Sequence, residues 1–435
     1  MVLITLDTVR ADRLGCYGYA KETSPHIDAL AKESAIFDLV IAQAAVTPVS
    51  HASILTGLEP YHHGLRVFHG TTANRLAEEH KTLAEFWQER GGETAAFVSA
   101  FPVSAAFGLD QGFSRFDAAF PAIESSGEIS QNGVVNTGMS QRRADHTSQA
   151  AIAWLKARAT PSKPFLLWAH YFDPHDALLL PPEPGFSKLL GGKFKPVSSD
   201  QADQLRAIYD AEIFFMDMQI GKLLNELIDL KLWDETIVAV VADHGEGLGD
   251  HNWWTHGILY QEQIRVPLIV RIPGLPSAAK RIGSLVRSID IMPTILEATG
   301  IHRRYWPAVD GMSLLDEIAG NAASKPRSAY SDSVNMLNYA RPDTQHQDRK
   351  NERLYALIEG ELKFIYHQLR PAESELFDLR ADPGESDNVA VQRLDTMQRF
   401  TRELESRGAL FAEDVALDET PLENLKQLES LGYAG

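Results

Sequence analysis

IVAVVADHG, residues 237–245, is an unbroken apolar run of strand length that stops at a carboxylate and an imidazole. Hydrophobicity that is continuous and not alternating marks a strand covered on both faces. Four more runs share that texture: VLITL at 2–6, AAFVSA at 95–100, FLLWAHY at 165–171 and PLIVRI at 267–272. Between them lie segments with apolar residues at helical spacing. SPHIDALAKESA (24–35) opens with a Ser cap and a Pro, and KTLAEFWQERGG (81–92) ends on Gly. TSQAAIAWLKARA (147–159), the long stretch from 200 to 231 and SIDIMPTILEATG (288–300) complete the set. Strands alternating with helices predict an α/β fold, a central mostly parallel sheet with helices on both faces.

After about residue 320 the texture changes. YALIEGELKFIYH (355–367) and SELFDL (374–379) read as short strands, followed by a polar turn, RADPGESDN (380–388), and a charged helical tail. The expected organisation is therefore a main domain over 1–320 and a smaller C-terminal α+β subdomain over 321–435, with antiparallel strands and a terminal helix. The stretches 118–145 and 181–200 read as insertion loops.

Composition excludes several classes. With 435 residues and 44% hydrophobic content the chain can build a large core. Lys plus Arg number 41 against 59 Asp plus Glu, and the net charge of −18 is scattered. That argues against a nucleic-acid partner or an anionic membrane surface. The single cysteine, Cys16, rules out an internal disulfide framework and a thiolate metal cluster, so any metal must sit on oxygen and nitrogen. No apolar run approaches the roughly 20 residues of a membrane span. MVLITLD carries no signal-peptide pattern, and as written the chain is expected in the cytoplasm. Because VLITLD already reads as a core strand, an upstream segment would move the expectation to the periplasm or outside the cell.

Ligands of α/β sheets sit at the carboxyl ends of strands. VLITL ends in Asp7, IVAVVA ends in Asp243 and His244, and FLLWA runs into His170, Tyr171, Asp173 and His175. Two carboxylates and an imidazole on one edge suit a divalent cation. A single Asp after a strand is more often a turn former. The recurrence of three such ends, together with the Ser/Thr/His-rich VTPVSHASILTG (46–57) before a helix, favours a site.

Seven stretches in order resemble the landmarks of the sulfatase family within the alkaline phosphatase superfamily. They are VLITLDTVRADRLGCYGY, TPVSHASILTGLEPYHHGL, WAHYFDPHDALLLPP, VAVVADHGEGLGDHNWWTHG, RVPLIVRIPG, SIDIMPTILEATG and ELFDLRADPGESDNVA. The resemblance implies an alkaline-phosphatase-like fold and a metal-dependent hydrolase of sulfuric or phosphoric esters. It also marks departures. Sulfatases convert a Cys or Ser to formylglycine. Here Thr47 holds that position, His51 holds that of the following Arg, and Thr8 holds that of a second acidic ligand. The Lys-x-His element expected near residue 98 is absent from FVSAFPVSAAFG.

The resemblance therefore leans to the threonine-nucleophile branch of the superfamily. It implies one divalent ion on Asp7, Thr47, Asp243 and His244, and no formylglycine. An imidazole where calcium-binding relatives carry an amide favours Zn²⁺ or Mn²⁺ over Ca²⁺. Thr47, at the start of its helix, is expected as the nucleophile, with Ser50 as N-cap and Gly57 as C-cap. The resemblance puts His175 and His256 at the transferred group or leaving alcohol. His51 is expected either at the substrate or as helix decoration, and His170 at the substrate or behind a ligand. His62, His63, His69 and His251 read as loop or packing residues, although His251 or His256 would also suit a second metal.

Chemistry favours phosphate mono- or diesters or phosphonates, because a sulfated threonine lacks the internal collapse by which formylglycine expels sulfate. The expected substrate is a small molecule or a glycan or lipid ester. Two rival classes remain: a transferase of the phosphoethanolamine or phosphoglycol type, and a non-catalytic glycan-binding relative.

Overall fold

A computed structural model describes residues 1–66, 68–69, 72–73, 75–120, 141–158, 162–175, 188–189, 202–275, 280–321, 326–334 and 353–410. The core of the insertion loop at 118–145, nearly all of that at 181–200 and the tail beyond 410 lie outside these residues.

The fourteen strands among the described residues are numbered in chain order. The main sheet holds β1 (Val2–Leu6), β2 (Ala35–Ile41), β5 (Glu93–Phe97), β6 (Arg115–Asp117), β7 (Phe165–Tyr171), β8 (Val238–Ala242), β9 (Arg265–Arg271) and β10 (Lys280–Arg287). Their order across the sheet is β10-β2-β9-β8-β1-β7-β5-β6. All neighbours pair in parallel except those of β9, which runs against both β2 and β8. A two-stranded hairpin joins β3 (Phe68–His69) to β4 (Thr72–Ala73).

Helices lie on both faces, as the alternating pattern requires. Ala202–Asp229 packs against Pro25–Ala31 and Ala144–Ala157, while Thr47–Thr56 packs against Leu83–Glu89 and Ile291–Ala298. β1 and β8 are fully buried along their whole length, which explains their unbroken apolar sequence. β2, β6 and β10 were not expected. AIFDLVI is interrupted by Asp38, KRIGSLVR alternates with exposed polar residues at a sheet edge, and β6 has three residues. The AAFVSA run also enters the sheet earlier than its apolar stretch suggests, because the chain turns away after Phe97.

A second sheet, wholly antiparallel, is formed by β11 (Ser328–Ser333), β12 (Leu354–Glu359), β13 (Leu362–His367) and β14 (Glu375–Asp378). Gly360 turns the β12–β13 hairpin with a φ of 61°, a conformation glycine adopts without strain. Helix Leu394–Ser406 follows, with Phe400 and Leu404 buried against this sheet. A bridge from Ala44 to Asp332 and a shared cluster of Ile41, Ala45, Tyr260, Ala329, Ile365 and Phe377 weld it to the main sheet.

Two helix starts differ from expectation. Ser24 occupies the N-cap position of Pro25–Ala31 but makes no cap: its hydroxyl donates to Asp28. The N–H groups of His26 and Ile27 bond instead to Asp217, from the long helix. Ser50 is not a cap either. The helix begins at Thr47 with Pro48 in its first turn, where a missing N–H costs nothing, and Val46 is the N-cap. Gly57 is the expected left-handed C-cap, at φ 69°.

Candidate active site

The three strand ends converge because β8, β1 and β7 are adjacent and parallel. Leu6 aligns with both Ala242 and Tyr171, so Asp7 emerges directly beside Asp243. Thr5 aligns with His170, which puts His170 and Asp7 on one face of the sheet at its carboxyl edge. Helix Thr47–Thr56, buried throughout, is docked onto this edge by the Ser50 hydroxyl, which donates to the carbonyl of Asp243 at 2.7 Å. That is the function of Ser50 in place of capping.

The donor atoms of Asp7, Asp243 and His244 all lie within 4.8 Å of one another, and all three residues are buried. His244 Nδ1 donates to the carbonyl of Gly245 (2.9 Å), so the Nε2 lone pair faces the cluster, 3.2 Å from the Thr47 hydroxyl. Asp243 Oδ1 accepts the N–H groups of Thr8 (3.2 Å) and His244 (2.7 Å). Asp7 Oδ2 is 3.2 Å from His170 Nε2. Among the described residues, Asp7 Oδ1 and Asp243 Oδ2 are buried and accept no hydrogen bond. Two buried carboxylates side by side carry a large desolvation and repulsion cost. Accordingly Asp7 is pushed well above the usual carboxylate range, by burial first and then by the charges of Asp243 and Glu246, with the Thr47 hydroxyl opposing. Burial does the same to Asp243.

His51 is fully buried, which rules out surface decoration. Its Nδ1 donates to the Thr47 carbonyl at 2.8 Å and stands 3.5 Å from Asp243 Oδ2, while its ring packs between Trp168 and His170. Burial lowers its pKa to about 4. His170 stands behind Asp7: the N–H of Ser99 donates to its Nδ1 (3.3 Å), leaving Nε2–H to face the Asp7 carboxylate. The Ser99 hydroxyl also donates to the His170 carbonyl (2.5 Å). This partner was missed, because Ser99 reads as part of a strand.

His175 and His256 meet, Nε2 to Nε2, at 3.2 Å, and the His256 ring lies 4.4 Å from that of His244. His256 Nδ1 donates to Ala45 O (3.0 Å) and His175 stacks on Phe172 (4.2 Å). Burial lowers the pKa of His256 to about 4, and burial followed by the charge of His256 holds that of His175 well below its usual value. Thr8 was a missed contributor. It has a φ of 56°, unusual for a β-branched residue, and the turn it makes aims its N–H at Asp243. Gly245 is obligatory for a different reason, since a Cβ there would lie 2.0 Å from the carbonyl of Glu262. His62 reaches Asp310, His63 bonds Ser53 and His251 packs on Tyr260; the His69 side chain lies outside the described residues.

A family model described as Sulfatase matches residues 1–301, the span holding Asp7, Thr47, His51, His170, His175, Asp243, His244 and His256. The chain belongs to the sulfatase family. It is a hydrolase of the class that cleaves sulfuric or phosphoric esters. A second model, described as N-sulphoglucosamine sulphohydrolase, C-terminal, matches 249–409. Human iduronate 2-sulfatase is 27% identical over 386 residues, covering 74% of this chain and 68% of that protein. An arylsulfatase of Clostridium perfringens is 26% identical over 94% of each chain. The multifunctional alkaline phosphatase superfamily protein PehA of Trinickia caryophylli is 33% identical over 43% of this chain and 36% of that one. Among solved structures, a phosphonate monoester hydrolase of Agrobacterium radiobacter superimposes with a TM-score of 0.72 at 20% identity, covering 94% of this chain and 95% of that one. That likeness establishes the alkaline-phosphatase-like sheet of this sulfatase-family chain.

Proposed function

We propose that the chain is a metal-dependent hydrolase whose nucleophile is Thr47, with a covalent intermediate on its Oγ1. The observation that carries this reading is the pair of unbonded, buried oxygens, Asp7 Oδ1 and Asp243 Oδ2, facing the His244 Nε2 lone pair beside the Thr47 hydroxyl. The donor set fits a divalent cation held by Asp7, Thr47, Asp243 and His244, with the imidazole favouring Zn²⁺ or Mn²⁺ over Ca²⁺. Such an ion lowers the pKa of a hydroxyl it touches and offsets charge on the transferred group.

Thr47 releases its proton to solvent and attacks sulfur or phosphorus in line with the departing alcohol. The bond from Oγ1 to the central atom forms as the ester bond to the alcohol breaks. His170, fixed by Ser99, holds Asp7 in place, and Ser50 holds the helix that presents Thr47. Burial disfavours the charged form of the His175–His256 pair. An anionic ester beside it raises both pKa values, so the pair takes up a proton and gives it to the leaving oxygen. Water then attacks the intermediate and restores Thr47.

Phosphate mono- or diesters and phosphonates are the favoured substrates over sulfate esters. A threonine ester of phosphorus is opened by water, whereas a sulfated threonine has no internal route of release. The residues at 1–320 are read as the catalytic unit and those at 321–435 as a smaller unit packed against it.

Hydrolysis of the p-nitrophenyl esters of sulfate, phosphate, a phosphodiester and phenylphosphonate, with Zn²⁺, Mn²⁺ and Ca²⁺ in turn, tests the reading. Turnover of a phosphorus ester that vanishes in Thr47→Ala is the expected result. Sulfate turnover that survives Thr47→Ala would place the nucleophile elsewhere. Bound metal with no turnover of any ester would favour a transferase or binding role.

A further inference from the structure

The loop from His244 to Gly257 carries both His244 and His256, and it is strained. Leu248, His251 and Asn252 all have left-handed φ values, of 51°, 48° and 55°. Non-glycine residues persist there only when their surroundings hold them. Arg10 donates to the carbonyls of Glu246 and Gly247 and to Asp250, and Arg206 to the carbonyl of Leu248; the loop's far side is held through His251. The His251 ring stacks flat on Tyr260, with centroids 3.8 Å apart. Its Nδ1 is 2.9 Å from Glu262 Oε1 and its Nε2 is 3.2 Å from the carbonyl of Glu385. Both ring nitrogens thus face acceptors, an arrangement only the doubly protonated imidazolium satisfies.

Glu385 belongs to the polar turn after β14 and itself has a φ of 53°. Its carboxylate accepts the N–H of Gln261 (2.6 Å) and pairs with Lys363 Nζ of β13 at 2.5 Å, with both side chains fully buried. Glu375 of β14 takes the Tyr260 hydroxyl at 2.7 Å. On the active-site side, Trp253 is buried two residues beyond His251, and its Nε1–H donates to the carbonyl of His256 (3.1 Å). The second sheet thus holds His251, and the backbone carries that hold two residues on to Trp253, whose indole N–H bonds the carbonyl of His256.

We propose that His251 is a positioning residue for the reaction: it fastens the strained loop between Glu262 and the Glu385 turn, and so sets where His256 stands against His175 and Thr47. The proposal rests on the reading of His256 as a proton donor at the transferred group. The groups facing His251 are Glu262 from the helix Gln261–Ile264 and Glu385 from the turn, with Lys363 behind Glu385. Burial opposes the charged ring, while Glu262 and Glu385 favour it and outweigh burial.

The test compares wild type, His251→Asn and His251→Gln on the ester that wild type turns over best. Alongside it runs NMR on protein with ¹³C-labelled histidine, the His256 signal being assigned through His256→Gln. The expected result is a fall in kcat of about 10- to 100-fold with KM changed by less than about threefold. The His256 signal should move or broaden in both variants, while the thermal midpoint stays near that of wild type. If either variant unfolds, Glu262→Gln, which keeps the ring and weakens one of its two holds, serves in its place. Unchanged kcat together with an unmoved His256 signal overturns the proposal. If wild type turns over no ester, the hydrolase reading fails on its own and the NMR signal alone decides: a shift keeps the positioning role and an unmoved signal ends it.

Discussion

Two of the buried clusters of ionisable groups are built in opposite ways. In the second sheet, Lys363 and Glu385 are fully buried but face each other at 2.5 Å, so the cation is part of the protein. At the carboxyl edge of the main sheet, Asp7 and Asp243 are just as buried, and each has an oxygen that accepts no hydrogen bond. The first arrangement is a structural ion pair whose opposite charges meet on folding, although Lys363 Nζ and Glu385 Oε1 are not aligned as a hydrogen bond. The second costs stability unless a cation arrives, and buried like charges of this sort cluster where chemistry is done. The difference separates a fastening from a site, although the residue types alone do not.

The largest effect that would break this comparison is catalytic. Thr47→Ala and Asp243→Asn should each lower kcat/KM by about 10³-fold or more on the preferred ester. Asp243→Asn should meanwhile leave the metal-free protein as stable as wild type or more so, since it removes one of two repelling carboxylates. Thermal melts of metal-free protein check this, and a large loss of stability there would mean that Asp243 is structural. Next comes Lys363→Met, which strands Glu385 and should cost about 3–5 kcal/mol in chemical denaturation. The double variant Lys363→Met with Glu385→Gln should recover most of it, because neither charge is then left alone.

Removal of divalent ions by a chelator should lower the thermal midpoint of wild type, by the equivalent of about 2.7 kcal/mol if the ion had been present at 100 times its Kd. Asp243→Asn should respond much less. Equal responses in the two proteins would place the ion elsewhere. The smallest effect concerns His251. Burial lowers its pKa, but the hydrogen bond and charge of Glu262 and the Glu385 carbonyl outweigh that and raise it. A raised folded-state pKa means that the stabilisation is fully present below the unfolded value of about 6.5 and is lost as pH rises through the folded value. The difference in thermal midpoint between wild type and His251→Asn should therefore shrink on going from acid to alkaline pH. Its full size is expected to be below about 1 kcal/mol.

Much of the site is legible in single strand ends. Asp7, Asp243 and His244 are found because apolar runs stop at them, and Thr47 because a polar run precedes a helix. Ser50 was misread as a cap, since the sequence does not reveal that Pro48 lies inside the first turn and moves the helix start back to Thr47. Ser99 was hidden in an apolar run, and its two hydrogen bonds to His170 exist only because the chain leaves β5 after Phe97. β2 and β10 were overlooked because their polar residues face outward at one end of the sheet, where continuous hydrophobicity is not required.

The sequence by itself determined the class of fold, the family landmarks and the exclusion of a thiolate metal cluster, since these follow from local pattern and residue chemistry. Tertiary structure alone decided which side chains are neighbours. The parallel register of β8, β1 and β7 brings together carboxylates 236 positions apart and sets an imidazole behind one of them. A turn of the second sheet likewise reaches a loop more than 100 residues earlier, with Glu385 meeting His251. Contacts of that range are fixed by how sheets pair and pack, and no local run of residues encodes them.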